Sequence, residues 1–296
     1  MNTNISLVEI LRRTNLPSFH ELPLITLSNV NWADPIIGQA MLKFQVDPST
    51  DQASRGVKNS SIISVWMSEV IEECKMASVL DLFSGLGAIC LKLFKEGHIR
   101  TYLGVEINPA IVQMASTSTQ DGARFLCSDI MSYLIKSDRL QFGLICVLYE
   151  CLNAIGISNV KKLLGLIASK SKPGVIIAGD VRLRSSNSAS LKVIQVLPDA
   201  APPWIAGVNK SAYVLDEYGQ TMCGKFYGHR YMAFSDSGKN IDAKHCLLEL
   251  FDKDGFFEML NALGFELISS KQLLQNQITD VPECRDNLFF AARLRG

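Results

Sequence analysis

What the chain lacks narrows its partners first. It has no excess charge of either sign: 29 Lys and Arg balance 29 Asp and Glu over 296 residues, and the basic side chains are scattered. Electrostatics therefore gives no reason to expect a nucleic acid or a membrane surface as partner. No apolar run reaches the roughly 18 residues that a membrane span needs. The opening MNTNISLVEILRRTN lacks a basic region followed by an apolar stretch and a cleavage site, so no secretory signal is expected. Eight cysteines stand at 74, 90, 127, 146, 151, 223, 246 and 284, and none forms a Cys-x-x-Cys pair. They read as reduced core thiols of a cytoplasmic protein rather than as a metal site. There is no internal repeat and no low-complexity segment.

What is present is an alternating pattern. Residues 1–60 read as an N-terminal arm with a short helix, followed by a helix over about 60–75 with Ile63, Trp66, Met67 and Val70 at helical spacing. From Ser78 onward, strand-like runs (SVLDLF, TYLGVEI, ARFLCSD, FGLICVLYE, GVIIAGDVR) alternate with helical ones. That rhythm predicts βαβ units and a doubly wound parallel sheet over 61–182. It breaks over 183–242, where YVLDEYG and KFYGHRYMAF read as antiparallel strands, and KHCLLELF follows in the same style. Residues 243–296 return to the core: helix DKDGFFEMLNALG, then strands FELISS and NLFFAARL, whose closing hairpin makes the sheet mixed.

The sharpest local feature is Val79-Leu-Asp81-Leu-Phe83-Ser84-Gly85-Leu-Gly87-Ala88: a strand ending in a carboxylate, a small-residue turn, then a helix. Such a turn lets a ligand approach the backbone closely. A dinucleotide would ask for Gly-x-Gly-x-x-Gly, but Cys90 occupies the third position and Asp81 would repel a pyrophosphate. S-adenosylmethionine has no phosphate and carries an ammonium and a sulfonium, which Asp81 attracts. Glu106, 19 residues after Gly87, ends the next strand, where a carboxylate can accept both hydroxyls of a ribose. Asp129, at the end of the third strand, can accept an adenine amino group or cap the following helix.

Asp81-Leu-Phe-Ser-Gly85-Leu-Gly87, Val105-Glu106-Ile107 and Ser128-Asp129-Ile130 together resemble the three cofactor motifs of class I S-adenosylmethionine-dependent methyltransferases. The resemblance covers 60–182 and 243–296. It implies a seven-stranded sheet with an antiparallel last strand, S-adenosylmethionine as cofactor and S-adenosylhomocysteine as product. It implies cofactor contacts from Asp81, Phe83, Ser84, Gly85, Gly87, Glu106, Ile107, Asp129, Ile130 and Leu148. Phe83 departs from the pattern, since the family usually has Gly there.

The loop after strand four carries the chemistry in that family. Here it reads Cys146-Val-Leu148-Tyr149-Glu150-Cys-Leu-Asn153. It has neither the Pro-Pro-aromatic motif of DNA amino-methyltransferases nor the Pro-Cys of cytosine C5 enzymes. Pro202-Pro203-Trp204 follows strand five, the wrong place. The loop is similar to that of glycine and sugar-amine N-methyltransferases, which insert an antiparallel lid after strand five. The resemblance implies a biosynthetic enzyme that methylates a small-molecule acceptor, at nitrogen before oxygen or carbon. An RNA or protein methyltransferase and a non-catalytic cofactor-binding protein are the alternatives. Tyr149 and His229 are the candidate catalytic residues. Glu150, Asn153, Trp204, Tyr213, Tyr227 and Tyr231 are the candidate acceptor contacts, and Arg55 of the arm is a candidate for the cofactor carboxylate. A monomer or homodimer is expected.

Overall fold

The computed structural model describes residues 27–28, 30–47, 57–74, 77–119, 121–184, 193–197, 213–220, 224–234, 240–273 and 287–296. The chain divides into two compact units: Trp32–Ser185 with Phe251–Gly296, and Ser186–Leu250 with Met1–Asn31.

The larger unit is built on a seven-stranded sheet. Its strands are β1 (Ser78–Leu82), β2 (Thr101–Glu106), β3 (Ala123–Cys127), β4 (Leu144–Val147), β5 (Ile176–Arg182), β10 (Phe265–Leu273) and β11 (Asn287–Leu294). They run in the order β10-β11-β5-β4-β1-β2-β3. Only β11 is antiparallel to its neighbours, β5 and β10, as expected from the closing hairpin. Period-two burial fits a sheet covered on both faces. Leu80, Leu82, Ile145, Val147, Ile177 and Phe290 enter one core, and Val79, Leu144, Cys146, Ile176 and Phe289 enter the other.

Eight helices accompany these strands among the described residues: α1 (Pro35–Val46), α2 (Val57–Cys74), α3 (Ala88–Lys95), α4 (Pro109–Ser116), α5 (Ile130–Lys136), α6 (Cys151–Ile155), α7 (Ile157–Lys170) and α8 (Lys253–Ala262). Helices α5 to α8 pack on the first core, α2 and α3 on the second. The helix read over 60–75 begins three residues earlier, and its Ile63, Trp66, Met67 and Val70 are all buried. Trp66 meets Phe289 edge to face at 5.6 Å and donates its indole N–H to Ser269 at 3.3 Å. None of the described helices is long and apolar enough to cross a membrane.

The smaller unit contains a four-stranded antiparallel sheet in the order β6 (Val193–Leu197), β7 (Tyr213–Gln220), β8 (Phe226–Phe234), β9 (Asn240–Glu249). Strand β6 had no counterpart in the sequence reading, and β9 starts four residues before KHCLLELF. The chain leaves the larger unit next to where it re-enters. The Arg184 N–H donates to Phe251 O at 2.8 Å, and the Phe251 N–H donates to Arg182 O at 3.2 Å. Chain ends this close let a core accept a long insertion without rearranging its strands.

Candidate functional site

Strand order reverses between β1 and β4, and ligands of open α/β sheets settle at the carboxyl ends of the strands flanking such a switch point. Three turns gather there. After β1, the backbone is left-handed at Phe83 (φ 60°), Gly85 (φ 53°) and Gly87 (φ 68°). Glycine takes this geometry without strain, whereas Phe83 costs about 1 kcal/mol. The family's usual Gly therefore has a conformational reason, and Phe83 keeps the conformation while packing against the core. Gly87 has a second reason: a Cβ there would lie 2.4 Å from the Tyr102 hydroxyl.

Backbone hydrogen bonds stitch the three motif regions together. The Ser84 N–H donates to Val105 O at 3.1 Å, and the Ser128 N–H donates to Glu106 O at 2.9 Å. Glu106 adds its side chain: Oε2 accepts from the Gly85 N–H at 3.0 Å and Oε1 from the Asn108 N–H at 2.9 Å. Register pairs Asp81 with Gly104, two residues before Glu106, so both carboxylates leave the sheet on the same face. Both are buried. Burial pushes the Asp81 carboxyl up to about 7; hydrogen bonds from Tyr102 and Cys90 oppose the rise, and the charge of Glu106 adds to it. The Tyr102 hydroxyl donates to Asp81 Oδ2 at 3.0 Å. Glu106 is also raised by burial, against the backbone N–H groups of Asn108, Gly85 and Ile107.

The remaining residues expected around the cofactor lie close in sequence to these. Ser84, Ile107 and Leu148 are half-buried on the three turns. Asp129 is exposed and caps α5, its Oδ1 accepting from the Ser132 N–H at 2.8 Å. The helix-cap role is thus realised, and among the described residues nothing bonds its Oδ2. Ile130 begins α5 with its side chain inside the core.

The turn after β4 holds two consecutive left-handed residues that are not glycine, Tyr149 (φ 67°) and Glu150 (φ 57°). Such strain persists only where its surroundings over-determine it. Here a buried polar cluster does so. Glu150 Oε2 pairs with Arg182 Nε at 2.8 Å, and Oε1 accepts from Asn287 Nδ2, also at 2.8 Å. Asn287 Nδ2 also donates to Asp180 Oδ2 at 3.2 Å. The Asn153 side chain pairs with the Arg182 backbone in both directions, at 2.9 Å and 2.8 Å. Glu150 and Asn153, expected at the acceptor, thus spend these atoms on bracing the turn; the left-handed pair reverses the chain and turns them toward β5 and β11. Tyr149 is half-buried on the same turn. Burial raises the Cys151 thiol well above its usual range, and the nearby Asp180, Glu106, Asp81 and Glu150 carboxylates add to the rise.

The other expected acceptor residues belong to the smaller unit. Tyr213 is the first residue of β7, and Tyr227, His229 and Tyr231 occupy alternate positions of β8, paired with Leu248, Cys246 and Lys244 of β9. Tyr227 is buried in a cluster with Leu250 and Leu248. Trp204 and Arg55 lie outside the described residues.

Several residues at the site escaped the sequence reading. Tyr102 bonds Asp81 from the start of β2, four residues before strand-terminal Glu106. Asn108 was legible as a helix start, since its Oδ1 caps Ala110. Its second task was not: Nδ2 donates to Trp32 O at 2.7 Å and to Asp34 O at 2.8 Å, tying the entry of α1 to the end of β2. Gly38 of α1 packs so tightly here that a Cβ would lie 1.9 Å from Asn108 Oδ1.

No family model matches the chain. No curated protein matches it either. Solved structures do. A methyltransferase from Streptomyces caelestis superposes with a TM-score of 0.58 at 11% identity, covering 89% of this chain and 100% of that one. An S-adenosylmethionine-dependent methyltransferase from Clostridium acetobutylicum gives 0.55 at 14% identity, covering 88% and 97%. A sugar N-methyltransferase from a Streptoalloteichus species gives 0.53 at 20% identity, covering 79% and 87%. At these identities the likeness concerns architecture, and the chain shares the fold of these methyltransferases.

Proposed function

We propose that the chain is an S-adenosylmethionine-dependent methyltransferase acting on a small-molecule acceptor, at nitrogen before oxygen or carbon. The observation that carries this reading is the pair Asp81 and Glu106: two buried carboxylates on one face of the sheet, at neighbouring strand ends, on either side of a glycine turn. A pyrophosphate would meet repulsion there. A cationic nucleoside without phosphate meets two acceptors. The fold likeness to a sugar N-methyltransferase supports the choice of nitrogen.

The donor set fits the cofactor. Glu106 would hold the ribose diol, Asp81 the ammonium, and the left-handed turn at 83–87 would admit the amino-acid end against its backbone. Asp129 and the backbone of Ile130 would take the adenine, with Ile107 and Leu148 as flanking apolar contacts. Bound there, the cofactor supplies a sulfonium methyl for in-line transfer to a lone pair. The protein's task is then alignment more than charge stabilisation. Tyr149, at the strained turn, is assigned to the reacting end. An amine acceptor arrives protonated, and His229 or Tyr149 is assigned to take that proton. The 183–242 insertion is assigned to the acceptor, through Trp204, Tyr213, Tyr227 and Tyr231.

Calorimetry with S-adenosylmethionine and S-adenosylhomocysteine, followed by methyl transfer to a panel of amines and phenols, tests the reading. Micromolar binding and turnover on an amine are expected. Absence of binding to either nucleoside refutes it, and tight binding with no turnover on any acceptor would make the chain a binding protein.

A further inference from the structure

We propose that Gln45, near the carboxyl end of α1, is a ligand residue of this site: its amide oxygen accepts one hydroxyl of the ribose while Glu106 accepts the other. The inference rests on the reading of the site as one for an adenosyl sulfonium.

Three observations lead to it. Gln45 Oε1 is buried, and among the described residues nothing bonds it. A buried carbonyl oxygen without a donor costs free energy, so its persistence points to a donor that arrives with a ligand. Second, the amide lies directly over the glycine turn. Nε2 and Oε1 are 3.2 Å and 3.4 Å from where a Cβ on Gly85 would stand. Gly85 is also the residue whose N–H is bonded to Glu106, so Gln45 and Glu106 both meet the same turn residue. Third, α1 is held in place. Asn108 ties its entry to the end of β2, and Asp34 caps it by accepting from the Ile36 N–H at 2.9 Å.

The chemistry is complementary. A vicinal diol brings two O–H donors. The Glu106 oxygens already accept backbone N–H groups, Oε2 from Gly85 and Oε1 from Asn108, and the amide oxygen of Gln45 supplies a further, uncharged acceptor. A second carboxylate in that place would repel Glu106; an amide does not.

The test is calorimetry on the full chain with two ligands, S-adenosylhomocysteine and 5′-methylthioadenosine, the second of which keeps the ribose and lacks the amino acid. Gln45→Ala and Gln45→Leu should each weaken both ligands roughly five- to tenfold, the loss of one hydrogen bond, while the melting temperature of the unliganded Gln45→Leu protein stays the same or rises, since the unbonded oxygen is gone. Should Gln45→Ala fail to fold, Gln45→Leu fills the same space and carries the test. Unchanged affinity for both ligands in Gln45→Leu overturns the inference and leaves the site reading standing. Weakening of S-adenosylhomocysteine alone would move the contact to the ammonium and overturn the ribose assignment. If the wild-type chain binds neither ligand, the site reading falls first, and this inference with it.

Discussion

The turns after β1 and β4 solve one problem in two ways. Both must bend the backbone through left-handed conformations at the same switch point. The first does so mainly with glycine, at Gly85 and Gly87, and keeps its carboxylates beside the bend. The second uses Tyr149 and Glu150, which resist that geometry, and braces them with Arg182, Asn287 and Asn153. Glycine gives access and little definition, whereas a buried polar cluster gives definition at the cost of burying charge. The β1 turn is suited to admitting a ligand, and the β4 turn to holding one side chain, Tyr149, at a fixed place.

The comparison breaks most visibly at Arg182. Removing it leaves Glu150 buried without its cation, so Arg182→Ala should cost about 3–5 kcal/mol in a denaturant titration. A loss under 1 kcal/mol would show that the brace carries nothing. Glu106→Ala belongs to the other turn and should act on binding: a loss of about 2–3 kcal/mol for S-adenosylhomocysteine, with Glu106→Gln intermediate, read by calorimetry. Equal affinity in all three proteins would remove Glu106 from the site.

Asp81 sharpens the contrast through pH. Its carboxyl is raised from 3.8 to about 7 by burial, so the folded protein holds a proton that the unfolded chain releases. The resulting destabilisation is absent below pH 4, grows between pH 4 and 7 as only the unfolded chain releases the proton, and is complete above 7, where the folded carboxyl is charged as well. Asp81→Asn should therefore stabilise the unliganded protein at pH 8, on the order of 2 kcal/mol. The same variant should bind the cationic ligand more weakly and lose the wild-type fall in affinity below pH 7. Melting curves and calorimetry at pH 6 and 8 check both; a variant no more stable at pH 8 contradicts the burial argument. The smallest effect is at Phe83. Phe83→Gly relieves about 1 kcal/mol of backbone strain and gives up a partly buried ring, so stability should change by less than about 1 kcal/mol. A larger loss would mean that packing, not conformation, decides that position.

The doubly wound sheet, its closing hairpin and the strand-terminal positions of Asp81 and Glu106 were legible because they follow from short-range patterning: two-residue alternation, a glycine turn, an acid at a strand end; the order of the strands was not. What escaped depends on partners far apart in the chain. Tyr102 reads as an ordinary strand residue until register sets its hydroxyl beside Asp81. The bonds of Glu150 and Asn153 to Arg182 and Asn287 depend on a left-handed pair that no glycine announces. Strand β6, VIQVL, was missed because its run is short and flanked by Ser and Pro clusters.

Asn108 joins Glu106 to the segment entering α1, through one main-chain and two side-chain bonds. Coupling of this kind is reciprocal. A ligand that settles Glu106 is then expected to steady the Trp32–Asp34 segment, and a change that detaches that segment is expected to loosen the ligand.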